Sequence, residues 1–225
     1  MTVGYLFDLD RTLVTYEPDV SGIFRTACSR AGVEPTPEAA DVVRSAYIET
    51  FLEFEESPYL GAARALRESG MDIDPSTFAA TYVEAELEAT QVPPGVVDLV
   101  ASLDRVGVVT NGYGPVQRRK LDATGLADRV DAVVCADDVE AFKPRAAPFD
   151  AITDALDAEE YVMVGDNVEY DIEPANERGY RTVFVGPEGG ETADYRLPDP
   201  ASLSALPVIL HTNRPTPAAT RGPAD

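Results

Sequence analysis

Five short runs of almost uninterrupted apolar residues, at 3–9, 106–110, 132–135, 161–164 and 182–185, limit most strongly what this chain can fold into. A strand with one face in water alternates apolar and polar residues, whereas a continuous run suits a strand covered on both faces. Between the runs lie stretches with helical spacing, at about 96–104, 115–124, 147–157 and 169–178. Gly125 and Gly179 stand where helices end in a left-handed residue. Pro174 falls in a first turn, where a missing N–H costs nothing. Strand and helix alternating in this way predict an α/β fold built on an open, doubly wound, Rossmann-like parallel sheet.

Residues 16–90 carry a different pattern. Val43, Tyr47, Phe51 and Phe54 follow helical spacing, as do Phe78, Tyr82 and Leu87, and no strand is evident. Proline and acidic punctuation at Glu17-Pro18-Asp19, Ser57-Pro58 and 72–75 divides the segment into about four helices. The aromatic stripe reads as the packing of this helical unit and not as a ligand box. Residues 1–15 and 91–211 are thus expected to form the sheet core and 16–90 an inserted helical unit, with hinges at 15–18 and 91–95. A helix is expected near 201–206, and 212–225, rich in Pro, Thr and Ala, as a disordered tail.

At 225 residues and 44% apolar, the chain suffices for one domain with a smaller one inserted. Eighteen basic against 40 acidic residues give a net charge of −22, which disfavours nucleic acid and anionic membranes as partners. The acids are spread over the whole chain, and the bases are sixteen arginines and only two lysines. An acidic partner-binding face is one reading, but acids spread in this way look more like a protein from a salt-loving organism, whose self-repulsion concentrated salt would screen. No segment approaches the length of a membrane span and the N-terminus has no signal pattern, so a cytoplasmic location is expected. Cys28 and Cys135 do not suggest a disulfide, and Cys135, ending an apolar run, suits a buried thiol. A lone histidine, His211, argues against a Ser-His-Asp hydrolase or a histidine-built zinc site.

Chemistry-bearing residues cluster at the ends of the apolar runs. Asp8 and Asp10 end the first run, and two carboxylates two residues apart on an extended segment point the same way. Thr110-Asn111-Gly112 follows the second run, Lys143-Pro144 precedes a helix, and Gly165-Asp166-Asn167 with Asp171 follows a later run. In open α/β sheets ligands bind beyond the carboxyl ends of strands, so these distant residues would share one crevice. Lys143 stands out because lysine is almost absent from the chain.

In this order, the four pieces resemble the haloacid dehalogenase-like (HAD) hydrolases, a superfamily composed mostly of Mg²⁺-dependent phosphatases. The resemblance implies that the helical insertion is a small cap and that 193–197 is a short closing strand. It implies Asp8 as the nucleophile that becomes an aspartyl-phosphate, and Asp10 as acid and then base. That mechanism asks for Asp8 ionised and Asp10 protonated at the start. Lys143 would neutralise charge beside the nucleophile, and Thr110, Asn111 and Gly112 would hold the phosphoryl group. Mg²⁺ would be held by the Asp8 carboxylate, the Asp10 backbone carbonyl and Asp166, with Asp171 acting on the site directly or through water. Asp171 also reads as a carboxylate favoured at a helix start. Arg11 departs from the family's usual Gly or Asn, and reads equally as a solvated arginine or as a contact to cap or substrate.

The expected activity is hydrolysis of a small phosphorylated metabolite. A haloacid dehalogenase, a phosphomutase and a non-catalytic binding protein remain alternatives on the same fold. Phosphoglycolate, sugar phosphates, nucleoside monophosphates and pyrophosphate all suit a small helical cap, with specificity from segments such as 16–19 and side chains such as Arg25. The sequence does not set the oligomeric state.

Overall fold

The computed structural model describes residues 2–212. Its centre is a six-stranded parallel sheet whose strands appear in the chain as β1 (Val3–Phe7), β4 (Val106–Thr110), β5 (Ala132–Cys135), β6 (Glu160–Gly165), β7 (Arg181–Val185) and β8 (Tyr195–Leu197). Their spatial order is β5-β4-β1-β6-β7-β8. The chain builds outward from β1 on one side and then returns to build on the other, which places the switch in strand order around β1. Both faces are covered, as the continuous apolar runs require. On one face Phe7, Val108, Val164 and Val183 pack with Leu121, Leu203 and Leu206. On the other, Leu6, Val109 and Met163 pack with Phe149, Ile152 and Leu156.

Helices α5 (Val96–Ser102), α6 (Gly114–Thr124), α7 (Ala146–Leu156), α8 (Glu173–Glu177) and α9 (Leu206–Thr212) supply those layers. Gly125 caps α6 at φ +70°, a conformation that favours glycine. The helix expected over 169–178 is not one helix. It opens with a π-turn, Val168–Ile172, and Pro174 is the second residue of α8. The Asn167 carbonyl accepts from both Asp171 and Ile172, and its side chain accepts from Tyr170, so the first turn is wide. Gly179, at φ +74°, lies beyond the end of α8, which Arg178 caps.

Between the first strand and the rest lie four helices: α1 (Val20–Ala31), α2 (Pro37–Glu53), α3 (Pro58–Glu68) and α4 (Pro75–Ala89). Asp19, Thr36 and Asp74 cap the first, second and fourth by accepting from a backbone N–H of the first turn, and Pro37, Pro58 and Pro75 each open a helix. Phe24, Ala27, Cys28, Ala62, Leu66 and Phe78 form a core of their own. The chain enters and leaves this cap through two short strands that the sequence pattern does not show, β2 (Thr15–Tyr16) and β3 (Thr90–Gln91), which pair antiparallel. Two-residue strands are too short to show a period. The closing strand and the late helix are present, the latter as a 3₁₀ segment, Pro200–Ala205, running into α9. Of the tail expected over 212–225, Thr212 ends α9 and the rest lies outside the described residues. Both cysteines are buried and free. Among the described residues, no helix is long and apolar enough to cross a membrane.

Candidate active site

The carboxyl ends of β1, β4 and β6 bring the selected residues together. β1 stops at Phe7, two residues short of the expected end, and the Asp8 amide still donates to the Val164 carbonyl at 2.9 Å. That bond fixes the Asp8 side chain over the gap between β1 and β6. Lys143, in the loop before α7, reaches the same point. Its Nζ donates to Asp8 Oδ1 at 2.7 Å, Asp171 Oδ1 at 2.6 Å and the Val109 carbonyl at 2.8 Å. Burial opposes the ammonium charge, but Asp171 and Asp8 outweigh it and hold the Lys143 pKa above the ordinary value. For Asp8 burial prevails over Lys143, and the repulsion of Asp171 adds to it, so its carboxyl is pushed up to about 7.

Asn111 stands beside this group but does not face it. Its Oδ1 accepts from the Lys143 amide at 2.7 Å and its Nδ2 donates to the Lys143 carbonyl at 3.0 Å. Its side-chain amide, in the segment expected to hold the phosphoryl group, clamps the loop that carries the lysine. Thr110 Oγ1 accepts from Gln117 Nε2 at 2.9 Å and from the Gly112 amide at 3.1 Å, which leaves the hydroxyl proton to be donated elsewhere. Gly112 has no room for a side chain: an added Cβ would lie 2.1 Å from Gln117 Nε2.

Asp10 is held by three side chains. Oδ2 accepts from Gln117 at 2.7 Å, while Oδ1 accepts from Lys120 at 2.8 Å and from the Tyr16 hydroxyl. Burial pushes this carboxyl up, yet the Lys120 charge and these hydrogen bonds together hold it below its ordinary value. Among the protein's own groups the two carboxylates are thus held in opposite directions, Asp8 above its ordinary value and Asp10 below it, whereas the order expected from the mechanism is set with Mg²⁺ on Asp8. Asp8 keeps its proton more readily than Asp10, because Asp8 shares its cation with a second buried carboxylate while Asp10 collects donors.

Asp8, Asp166 and Asp171 each offer a carboxylate oxygen, and these atoms lie within 4.8 Å of one another. An all-carboxylate set suits a hard divalent cation. Burial also raises the Asp166 pKa. Arg11 Nε lies 2.9 Å from Asp166 Oδ2, so the departure from the family pattern meets one of the candidate ligands. Arg11 adopts φ 65°, the left-handed region, which accounts physically for Gly or Asn at this position elsewhere. Asp171 is buried with both oxygens engaged, one by Lys143 and the other by the Asn167 amide at 3.1 Å. The wide π-turn is what swings it inward.

Above Asp10 and Arg11 a cavity of about 660 Å³ opens between cap and core. Val43, Tyr47 and Tyr82 line it together with Tyr59, so part of the stripe expected to be cap packing also faces the cavity, while Phe51 and Phe78 are buried away from it. Tyr16, in the segment expected to contribute specificity, bonds Asp10, and three residues of the site are not evident from the sequence pattern: Glu86, Gln117 and Lys120. Only Lys120 carries a signal, since it is the other surviving lysine and is as buried as Lys143.

A sequence model of the haloacid dehalogenase-like hydrolases matches residues 3–179. The chain is 31% identical to the ribulose-1,5-bisphosphate 5-phosphatase of Halopiger xanaduensis, over 86% of this chain and 90% of that one. It is also 31% identical to the phosphoglycolate phosphatase of Rhodospirillum rubrum, over 93% and 87% of the two chains. In three dimensions it resembles the magnesium-bound HAD-hydrolase YfnB of Bacillus subtilis, with a TM-score of 0.71 at 20% identity, covering 93% and 98%. With the four motifs gathered at the sheet's carboxyl edge and this match over most of its length, the chain belongs to the haloacid dehalogenase-like hydrolases.

Proposed function

We propose that the chain is a Mg²⁺-dependent phosphatase of small phosphorylated metabolites, working through an aspartyl-phosphate on Asp8. The observation that carries this reading is the pairing of two differently held carboxylates. Asp8 is tied to buried Lys143 beside Asp166 and Asp171, and Asp10 is held among neutral and cationic donors at the cavity floor. Asp8 attacks phosphorus, the ester bond breaks, and the leaving oxygen takes a proton from Asp10. Water then attacks the acyl phosphate, Asp10 accepts its proton, and the electron pair of the broken bond returns to Asp8. The first displacement needs Asp8 ionised, a form that Mg²⁺ beside it would favour, and Asp10 protonated. The depressed proton affinity of Asp10 suits the second displacement, where it must start ionised. Lys143 offsets charge at the nucleophile, and the Thr110 hydroxyl donates to a phosphoryl oxygen. Asp8 and Asp166 would hold Mg²⁺, with Asp171 orienting Lys143 and the turn. When bound, the ion supplies positive charge at the transferring group.

Both named relatives act, by their names, on phosphate esters that carry a second anionic group. The cavity suits such a substrate. Arg25 of α1 and Arg44 of α2 line its walls, and with Arg11 they outnumber the lining carboxylates Asp10 and Glu86. The whole chain has the opposite balance, 18 basic to 40 acidic. Arg11 is engaged by half-buried Asp166 and Asp10 by Lys120, whereas Arg44 pairs with Asp41 and Arg25 lies 3.9 Å from Asp19 through exposed side chains, weak pairs that a distal anion in the cavity could displace.

The test is phosphate release from bisphosphates, phosphocarboxylates and simple esters in concentrated KCl, with and without Mg²⁺. Mg²⁺-dependent release is expected, with kcat/KM highest for esters bearing the second anion. Arg25→Gln and Arg44→Gln should each erase roughly tenfold of that preference, the worth of one charged hydrogen bond, and leave simple esters unchanged. An unaltered preference would move the distal anion elsewhere. Asp166→Ala should raise the Mg²⁺ concentration for half-maximal rate by about 100-fold, at or beyond the upper end of what losing an outer partner costs. An unchanged requirement would place the ion on other residues.

A further inference from the structure

Both lysines of the chain lie buried at the catalytic edge of the sheet, and only one has a part in the mechanism above. The other, Lys120 of α6, has its Nζ 2.8 Å from Asp10 Oδ1, 2.6 Å from the Tyr16 hydroxyl and 2.7 Å from Glu86 Oε1. Three acceptors match the three N–H bonds of an ammonium, a compact arrangement that a flat guanidinium does not reproduce. This explains why lysine persists here in a chain whose other cations are almost all arginine. The three partners come from three parts of the fold: the loop after β1, the hinge strand β2 and the cap helix α4. Glu86 is fixed in turn by the Tyr59 hydroxyl at 2.7 Å. On the outside of the same α4–α6 contact, Arg119 pairs with Glu84 at 2.5 Å.

We propose that Lys120 is a positioning residue whose ammonium, shared between Glu86 of the cap and Asp10 of the core, fixes the Asp10 carboxylate for proton transfer while α4 is seated on α6. The proposal rests on the phosphatase reading. Without Lys120, the half-buried Asp10 and Glu86 carboxylates would share one pocket with no cation between them, an arrangement that drives the groups apart. Without the Glu86 charge, the ammonium would lose its tie to the cap.

p-Nitrophenyl phosphate separates this role from general damage. In its first displacement an Asp8 oxygen bonds phosphorus and p-nitrophenolate departs with the electron pair, needing no proton. In the second, water bonds phosphorus, its proton passes to Asp10, and the Asp8–phosphorus bond breaks with the pair returning to Asp8. Lys120→Met should therefore leave the first turnover within roughly threefold of wild type and slow steady turnover about 100-fold, the scale of misplaced acid–base catalysis. Rapid mixing would show a burst of about one p-nitrophenol per enzyme, with KM falling alongside kcat. Glu86→Gln keeps an acceptor for Tyr59 and removes the charge, so it should show the same signature with roughly tenfold slower turnover. First and later turnovers slowed equally in Lys120→Met, or wild-type turnover in Glu86→Gln, would overturn the proposal. A folded wild type releasing no p-nitrophenol would overturn the phosphatase reading, and this proposal with it.

Discussion

Asp8→Asn is expected to abolish phosphate release and at the same time make the chelator-treated protein harder to unfold. The two effects share a cause. Asp8 is a carboxylate buried beside Asp171 with one ammonium between them, and its pKa is pushed up to about 7, first by burial. In the unfolded chain an aspartate titrates near 3.9. Below about pH 4 both states hold the proton, and the group costs the fold nothing. As pH rises towards 7 the unfolded chain releases the proton and the folded chain retains it, so stability falls, levelling off above the folded pKa. Over that window the loss is on the order of 4 kcal/mol, because every tenfold gain in proton affinity on folding is worth about 1.4 kcal/mol. Asparagine removes the titration. The stability difference between mutant and wild type should therefore grow from about pH 4 to about pH 7 and then stay level. Urea unfolding in concentrated KCl with chelator measures it; parallel curves across that range would show that Asp8 does not carry this burden.

Lys143→Met is expected to have the opposite effect on the fold and a comparable one on activity. The ammonium is the only cation contacting Asp8 and Asp171 among the described residues, and it is almost wholly buried. Removing one partner of a buried charge pair costs about 3–5 kcal/mol, because the remaining charge is stranded. Here two carboxylates are stranded. Turnover should fall by roughly 10³-fold, the scale of losing a preorganised charge at the reacting centre. Adding Asp171→Asn should restore part of the lost stability by removing one stranded carboxylate, without restoring turnover. Stability unchanged in the single variant, or turnover rescued in the double, would remove Lys143 from its role at the nucleophile.

Much of the fold was legible because the physics that builds a two-sided parallel sheet writes itself locally. Val106–Thr110 is wholly buried and Ala132–Cys135, at the sheet edge, is buried or half-buried throughout, so both are largely apolar and the structure gives those bounds unchanged. Features set by few residues were not legible. The hinge pair of β2 and β3 is two residues long, and the π-turn at Val168–Ile172 arises from bonds to Asn167 that no spacing rule registers. The candidate site divides in the same way. Asp8, Asp10, Thr110, Lys143, Asp166 and Asp171 stand at or near strand ends or just before a helix, so sequence order was enough to gather them. Tyr16, Glu86 and Gln117 reach the Asp10 cluster from a hinge and two helices, through contacts made only once the chain has folded. The opposite directions in which the protein's own groups hold Asp8 and Asp10 were not legible for the same reason, since they depend on which carboxylate shares its lysine. Lys120 was available from composition alone: where lysine is scarce, each one retained asks for an explanation.

The most direct test of covalent catalysis by Asp8 is acid quenching of the wild-type enzyme during steady turnover of its best phosphate ester with Mg²⁺, followed by mass analysis of the peptide containing Asp8. The predicted result is a phosphoryl increment on Asp8, discharged when the ester is exhausted and absent from Asp8→Asn. Rapid turnover with Asp8 unmodified at every quench time, and turnover surviving in Asp8→Asn, would contradict it.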